Sequence, residues 1–345
     1  MVEVAARLGT TQPSFEIAAE TLSELARVGI SATTVWRHHA EVTGEIETEL
    51  EREEREVPPF VMWPGTEAMD WVRVCDPIQA HASVSIDGLT VRIRGEGHRE
   101  VKMVSVSEVT ELEGSELRDL EGASIEGVVV RAAEQGRQEG LKLEGHSYRA
   151  VLGEKAVFAP ALKAELARRR VRGAGTLTTV NDGAEWIWDL VQSYVPPWRV
   201  EVLDWSHAMQ NLAKASNAAW GEGTEASRAW LAARETELWH GQRMQVDIAL
   251  HQLPRRRGDR GQAIHQVKGY VDQHWDRIQY ERFRQEWRPI GSGTVESGAK
   301  NVVQWRMKRG GQSWSRSGAT RMLAALGEFH SKRWSPTRRR LPKAA

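Results

Sequence analysis

Apolar positions along the chain change period several times, and each change marks an element. Leu22, Leu25 and Ala26 fall at helical spacing within residues 14–44, where Gly29 can close one helix and Ser31 can cap the next. The run LARVGISATTVWRHH thus predicts helix, tight turn, helix, with the second helix over about 32–42. This is a helix-turn-helix pattern, and it sets Thr33, Thr34 and Arg37 near the exposed N-terminal half of a helix suited to a DNA major groove. A capped hairpin that only packs or dimerises gives the same signal, and the acidic surroundings favour it. EIETELEREERE, residues 45–56, reads as a charged helical connector, and Pro58, Pro59 and Pro64 place a domain boundary behind it.

From Ala82 the period becomes two. In HASVSIDGLTVRIR, Val84 and Ile86 share one parity and Leu89, Val91 and Ile93 the other, which predicts a bulge or turn at Gly88. EVKMVSV forms a second strand, HSYRAVLG a third, and ALKAELARRR a helix after Pro160. Residues 107–145 hold one apolar burst, Val128–Val130, and yield no element. Two short strands follow, LTTV ending at Asn181 and Asp182, and VEVL ending at Asp204, with the helix EWIWDLVQSY between them stopped by Pro196 and Pro197. Residues 208–286 are helical almost throughout, broken near PRRRGDRG, and read as an all-α insertion. After Pro289, TVESGAKNVVQWRMKRG and MLAALGEFHSKRW each begin a helix.

Composition narrows the classes. The 345 residues are 40% hydrophobic and 27% charged, which suits about two globular domains and excludes wholesale disorder, collagen and a disulfide scaffold. The single cysteine, Cys75, reads as a structural thiol in a cytoplasmic chain. No apolar run nears the roughly 18 residues of a membrane helix, and MVEVAARLGT lacks the regions of a secretory signal. Charge sums to zero but is segregated. Residues 1–56 carry 12 acidic and 5 basic side chains, whereas residues 297–345 carry 12 basic ones and a single acid, Glu328. The basic end points to a polyanion partner, nucleic acid above all; for Arg338, Arg339 and Arg340 a solvated tail is an equal reading.

Three carboxylates fall where a chain can hold them rigidly: Asp87 in or just past a strand, Asp182 at the end of another, and Glu296 at a helix start. Three acids converging from distant segments make an oxygen-rich site for hard cations such as Mg²⁺. Two such ions can activate a nucleophile and stabilise the leaving oxygen of a phosphodiester. Along the helix after Glu296, Lys300, Arg306, Lys308 and Arg309 recur with Gln304 and Trp305. Those cations suit DNA phosphates, and Trp305 or Trp314 suits stacking on a splayed base, while Val302, Val303 and Met307 suit packing on the sheet. Trp220, Trp230, Trp239, Trp275 and Trp287 read as core of the insertion rather than as base wedges.

The segments SIDGLTVRIR, TTVNDGAEWIW, VLDWSHAMQNL and PIGSGTVESGAKNVVQWRMKRGGQSWS, in that order, resemble a bacterial insertion-sequence transposase of the DDE superfamily, of the branch related to Mutator-type elements. The resemblance covers about residues 14–335. It implies a mixed α/β fold: a ribonuclease-H-like catalytic core, a mixed sheet flanked by helices, with an α-helical insertion before the last catalytic residue. The implied division is 1–57 for the helical N-terminal region, 58–207 and 288–330 for the two parts of the core, 208–287 for the insertion and 331–345 for a basic tail. Asp87, Asp182 and Glu296 match the catalytic and metal-binding acids, and Asp204 and His207 match an accessory acid-x-x-His motif. Asn181 stands where such families commonly place a glycine, and the N-terminus lacks the cysteine-rich region that longer relatives carry.

The implied activity is cleavage and strand transfer at element ends with two Mg²⁺ ions, or Mn²⁺ in their place, by a homo-oligomer assembled on double-stranded DNA. A structure-specific nuclease of the same fold and a catalytically silent, transposase-derived DNA-binding protein are the alternatives.

Overall fold

The computed structural model describes residues 1–27, 29–57, 80–111, 140–254 and 256–334. Cys75, the proline boundary at 58–64, the apolar burst at 128–130 and the arginines at 338–340 lie outside the described residues. Strands β1 (His81–Ile93), β2 (Gly97–Glu111), β3 (Leu141–Leu152), β4 (Thr176–Asn181) and β5 (Val200–Leu203) form one mixed sheet in the order β3-β2-β1-β4-β5. β1, β2 and β3 pair antiparallel, whereas β4 runs parallel to β1 and β5 parallel to β4. The chain is therefore mixed α/β. Among the described residues no helix is long and apolar enough to cross a membrane.

The parity change in β1 is real, but it is neither a bulge nor a turn. β1 pairs with β2 in unbroken register from Ala82↔Glu108 to Ile93↔Gly97. Ala82, Val84 and Ile86 pack with Val104 and Val106 under helices α4 (Lys155–Arg168) and α5 (Glu185–Tyr194). Leu89, Val91 and Ile93 turn to the other face, with Val101 and Met103. There they meet α11 (Gly293–Gly298), the π-helical stretch Ala299–Gln304 that continues it, the last turn α12 (Trp305–Met307) and α13 (Arg316–His330). Each half of the strand is buried on the face its helices cover, so the apolar parity switches while the backbone runs straight. Helix α4 also starts earlier than Pro160, which it contains.

The insertion comprises α6 (Trp205–Trp220), α7 (Glu225–Trp239), α8 (Arg243–His251), α9 (Gly258–Gln273) and α10 (Tyr280–Gln285). Its core is continuous with the sheet, since Val180, Val202 and Leu203 pack with Leu212, Leu238, Val246 and Phe283. Trp220, Trp230, Trp239 and Trp275 pack against that core, while Trp287 is exposed.

The N-terminal region holds α1 (Val2–Thr11), which the apolar pattern did not reveal, then α2 (Phe15–Ala26) and α3 (Ala32–Glu56). Ser31 caps α3 as expected, accepting from the Thr34 N–H at 3.2 Å. Two details differ. Arg27, at φ 51°, supplies the left-handed residue after α2 in place of Gly29, and α3 runs through the charged connector as one helix. That length lets the acids of α3 reach the core: Glu47 pairs with Arg321, Glu53 with Arg168 and Glu54 with Arg149 of β3.

His39 of α3 is buried against the edge of the Phe15 ring, 5.3 Å between centroids. Burial, aided by the positive charges of Arg306 and Arg321, pushes its pKa down to about 3. Folding thus excludes a proton that the unfolded chain accepts near pH 6.5. The stability this withholds is complete above that pH and is lost as pH falls toward the folded value. Between pH 7 and 5 the wild type should lose on the order of 2 kcal/mol more than His39→Gln, read from denaturant midpoints at both pH values.

Candidate active site

The parallel strands set three acids at one level. β1 and β4 pair as far as Val84↔Thr179, and β4 and β5 as far as Asn181↔Leu203. Counting onward at the same level, Asp87, Asp182 and Asp204 form a row across the carboxyl edge of three neighbouring strands. Asp87 has the parity of Leu89 and Val91, so it faces the layer that carries α11.

Asn181 holds that row together. Its side chain is fully buried and its Oδ1 accepts from the Ile86 N–H at 2.7 Å, while its own carbonyl accepts from the Asp204 N–H at 2.7 Å. The side-chain bond replaces a ladder bond at the point where β1 and β4 part.

Asp204 then fixes the approach of Glu296. It is 1% exposed and caps α6, with Oδ1 accepting from the His207 N–H at 2.9 Å and from His207 Nδ1 at 3.0 Å. Its Oδ2 accepts from the Ser292 N–H at 2.6 Å, and the Trp205 N–H donates to the Ile290 carbonyl. Together these bonds tie the end of β5 to the segment leading into α11. Ser292 Oγ donates to Glu296 Oε1 at 3.2 Å, one turn on.

A glycine follows each of the three candidate acids and lets an aromatic ring pack beside it. A Cβ on Gly88 would lie 3.3 Å from the Trp186 ring, and one on Gly183 2.6 Å from Tyr270 Cζ. One on Gly298 would lie 2.6 Å from Tyr148 Cε1 and 3.0 Å from Met103 Cε. Contacts this short admit no side chain without movement, so α11 reaches the sheet because residue 298 is glycine.

The charges respond to one another. Burial pushes Asp87 up to about 6, the Gly88 N–H opposes it, and Asp182 and Glu296 add repulsion. His207 is raised, first by its hydrogen bond to Asp204 and further by Asp204, Asp182 and Glu296, against burial. Burial also acts to raise Asp204, but the hydrogen bonds from His207 and Ser292 outweigh it and leave Asp204 below the usual carboxylate range. His207 thus lies among carboxylates that favour its protonated form.

Among the described residues, the tightest three-residue group with metal-ligand atoms is Asp204, His207 and Glu296, all within 4.8 Å of one another. Asp204 is a poor candidate ligand there, because its two oxygens already accept three hydrogen bonds. Asp87 and Asp182 each accept one, on Oδ1, from Gly88 and Ala184 respectively, and Glu296 accepts one on Oε1. Each of these three keeps a second oxygen for a cation, so the donor set fits Mg²⁺ or Mn²⁺ at Asp87, Asp182 and Glu296 better than at the tighter group.

The expected DNA contacts divide. Lys300, Trp305, Lys308 and Arg309 are exposed on the stretch after Glu296, with the Arg309 guanidinium 5.6 Å from the Trp305 ring centroid. Thr33 and Arg37 are exposed on α3, and Thr34 is half-buried beside its cap. Arg306 is a correction. It is 2% exposed, donates through Nε and Nη2 to the Gly9 carbonyl at 3.2 and 3.1 Å, and lies over the Phe15 and Trp314 rings. Sequence spacing marked it as basic but not that α1 would land on it. Trp314 is likewise committed, its indole N–H donating to the Met307 carbonyl. The side-chain bond of Asn181, the Ser292 contacts and Tyr270 were not foreseen; Ser292 lies inside the GSGTVES run, whereas Tyr270 carries no local signal.

No family model and no curated protein matches the chain. Among solved structures it is similar to the Drosophila P element transposase strand transfer complex, with 8% identity and a TM-score of 0.26 over 96% of this chain and 78% of that one. A likeness that weak carries no argument, and the site stands on its own geometry.

Asn181→Ala would leave the Ile86 N–H buried without its acceptor. It should lower the unfolding free energy by about 1–3 kcal/mol in denaturant titrations, whereas Thr33→Ala on the exposed face of α3 should change it by less than about 0.5 kcal/mol.

Proposed function

We propose that the chain is a DNA transposase of the DDE type, with a ribonuclease-H-like core in which Asp87, Asp182 and Glu296 hold two divalent cations. The observation that carries this reading is that two aspartates follow at one level of neighbouring parallel strands, with Glu296 of a separate helix near enough for its charge to act on Asp87. The mixed sheet flanked by helices, with a helical insertion ahead of Glu296, supports the same reading. Bound there, Mg²⁺ or Mn²⁺ supplies an activated water or 3′-hydroxyl and stabilises the leaving oxygen of a phosphodiester.

The chain's own groups supply the rest. Asp87 lies in β1 and Asp182 directly follows β4 beside it, so the sheet sets the level at which the two approach. Asp204 orients the His207 ring through Nδ1, leaving Nε2 as the nitrogen available to a phosphate oxygen or a water. Lys300, Lys308 and Arg309 line the stretch beyond Glu296 and suit phosphates on either side of the cut, and Trp305 suits stacking. Thr33, Thr34 and Arg37 are the proposed contacts of the helix-turn-helix with element ends, and a homo-oligomer pairs two such ends.

The test is cleavage of a plasmid carrying the DNA that flanks this chain's coding sequence, with Mg²⁺ supplied. Asp182→Asn should abolish cleavage, because a neutral amide cannot replace the anionic ligand. Asp204→Asn or His207→Ala should leave activity reduced about 10–100-fold, as for groups that orient ligands. A dead Asp204→Asn beside an active Asp182→Asn would exchange the two roles. Joined strand-transfer products mark a transposase; nicks alone mark a nuclease.

Salt tests the basic stretch. The logarithm of DNA affinity should fall linearly with the logarithm of salt, and Lys308→Ala or Arg309→Ala should each flatten the slope by about one contact, while Arg306→Lys should not. An unchanged slope in the first two variants would assign the stretch to packing.

A further inference from the structure

Tyr270 belongs to the helical insertion, on α9, yet its ring lies on the turn that carries Asp182. Gly183 follows Asp182 directly, and a Cβ there would lie 2.6 Å from Tyr270 Cζ and closer still to Cε2 and the hydroxyl oxygen. No left-handed backbone angle demands glycine at 183, so the aromatic ring does. One turn on, His274 stacks edge-on against Tyr270 with centroids 4.6 Å apart, and it is itself fully buried. Its Nδ1 accepts from Arg277, its ring faces Trp188 of α5, and the Gly183 backbone lies beside it. On the inner side Leu203, Leu212, Leu238 and Ile278 close round the same tyrosine. Among the described residues the buried phenol oxygen has no hydrogen-bond partner, and burial, with the nearby charges of Asp182 and Asp204, pushes its pKa upward. Tyr270 is thus wedged between the insertion's core and one catalytic turn.

We infer that Tyr270 is a positioning residue for Asp182: seated on Gly183, it couples the placement of the helical insertion to the placement of that carboxylate. The inference rests on reading Asp182 as a cation ligand only for its consequence, not for the contact. Asp182 Oδ1 accepts from the Ala184 N–H at 2.8 Å, so the turn carries its own reporter. A rearranged insertion, as on binding DNA, would move the ring and loosen the turn without touching Asp182.

The test is a double-mutant cycle of Gly183→Ala and Tyr270→Ala in the full chain, with Tyr270→Leu in place of alanine should the latter not fold. Two quantities are read: hydrogen exchange of the Ala184 amide without metal, and Mg²⁺ affinity by calorimetry with Mg²⁺ alone. Gly183→Ala and Tyr270→Ala should each speed Ala184 exchange and weaken Mg²⁺ binding about tenfold, and Gly183→Ala should add less than about twofold once Tyr270 is gone. Tyr270→Phe, which keeps the ring, should restore both to within about threefold of wild type. Equal effects of Gly183→Ala in both backgrounds, or unchanged Ala184 exchange in Tyr270→Ala, would overturn the inference. Wild-type protein that takes up no Mg²⁺ would sink the reading of the site instead, and the exchange cycle would still decide the coupling.

Discussion

The hydrogen bond from the Ile86 N–H to Asn181 Oδ1 fixes the level at which everything else meets. Parallel strands bind at even spacing, and a slip of one residue would send every side chain to the opposite face. Asn181 prevents that slip from both sides, with its side chain on β1 and its carbonyl on Asp204 beyond β5. Because the side chain is longer than a direct ladder bond requires, β1 and β4 part just where Asp87 and Asp182 begin. A crevice at the carboxyl edge of parallel strands is where α/β sheets commonly bind ligands. A glycine in this position would leave the Ile86 N–H to find another partner, so the asparagine is an alternative means of holding an open edge.

Charge segregation in the sequence has a different meaning once folded. The acidic N-terminal region is partly spent inside the molecule, since α3 lies along α4 and α13 with Glu47, Glu53 and Glu54 paired to arginines. Beneath it is a buried cluster in which Glu165 and Glu328 hold Arg168 and Arg333. Glu328, the single acid of the basic C-terminal stretch, accepts from Arg168 at 3.0 Å and from Arg333 at 2.9 Å. Breaking such a cluster by removing one member costs about 3–5 kcal/mol, because the remaining charge stays buried. Arg306 and Arg321 therefore hold the N-terminal helices against the core, and Arg333 holds the segment after α13 to it. The exposed basic surface is smaller than the charge of residues 297–345 suggests, and it includes Lys300, Lys308 and Arg309 in the stretch after Glu296.

Local chemistry was legible where a short run decides its own structure. VEVL, EWIWDLVQSY and the Ser31 cap were readable because period, proline stops and a capping hydroxyl act within a few residues. The parity switch at Asp87 was visible, but its cause was not, since only the packed helices reveal which face of β1 each half buries. Asp87, Asp182 and Glu296 were legible through their strand-end and helix-start positions, and Asp204 and His207 through the resemblance. Asp204, His207 and Glu296 offer ligand atoms within 4.8 Å of one another, and the charges of Asp182, Glu296 and His207 act on Asp87. Arg306 was misread because its partners, the Phe15 ring and the Gly9 carbonyl, come from the far end of the chain, whereas Trp314 is held by the nearby Met307 carbonyl and Arg306. Tyr270 escaped for the same reason as Arg306, since nothing near it in the sequence mentions Gly183.

The closeness of Asp204, His207 and Glu296 follows from the need to hold so many acids together. Asp87 is pushed upward mainly by its own burial, and the neighbouring Asp182 and Glu296 charges add to that. Asp204 escapes that fate by accepting three hydrogen bonds, one of them from the imidazole it orients. That bond, with the charges of Asp182 and Glu296, raises the His207 pKa in turn, so one buried acid favours the protonated imidazole beside its neighbours. Asp204 is thereby occupied by its own hydrogen bonds, while Asp87, Asp182 and Glu296 each accept on one oxygen and keep the other. The same pair anchors Ser292, so the group that balances charge at the site also sets where Glu296 enters it.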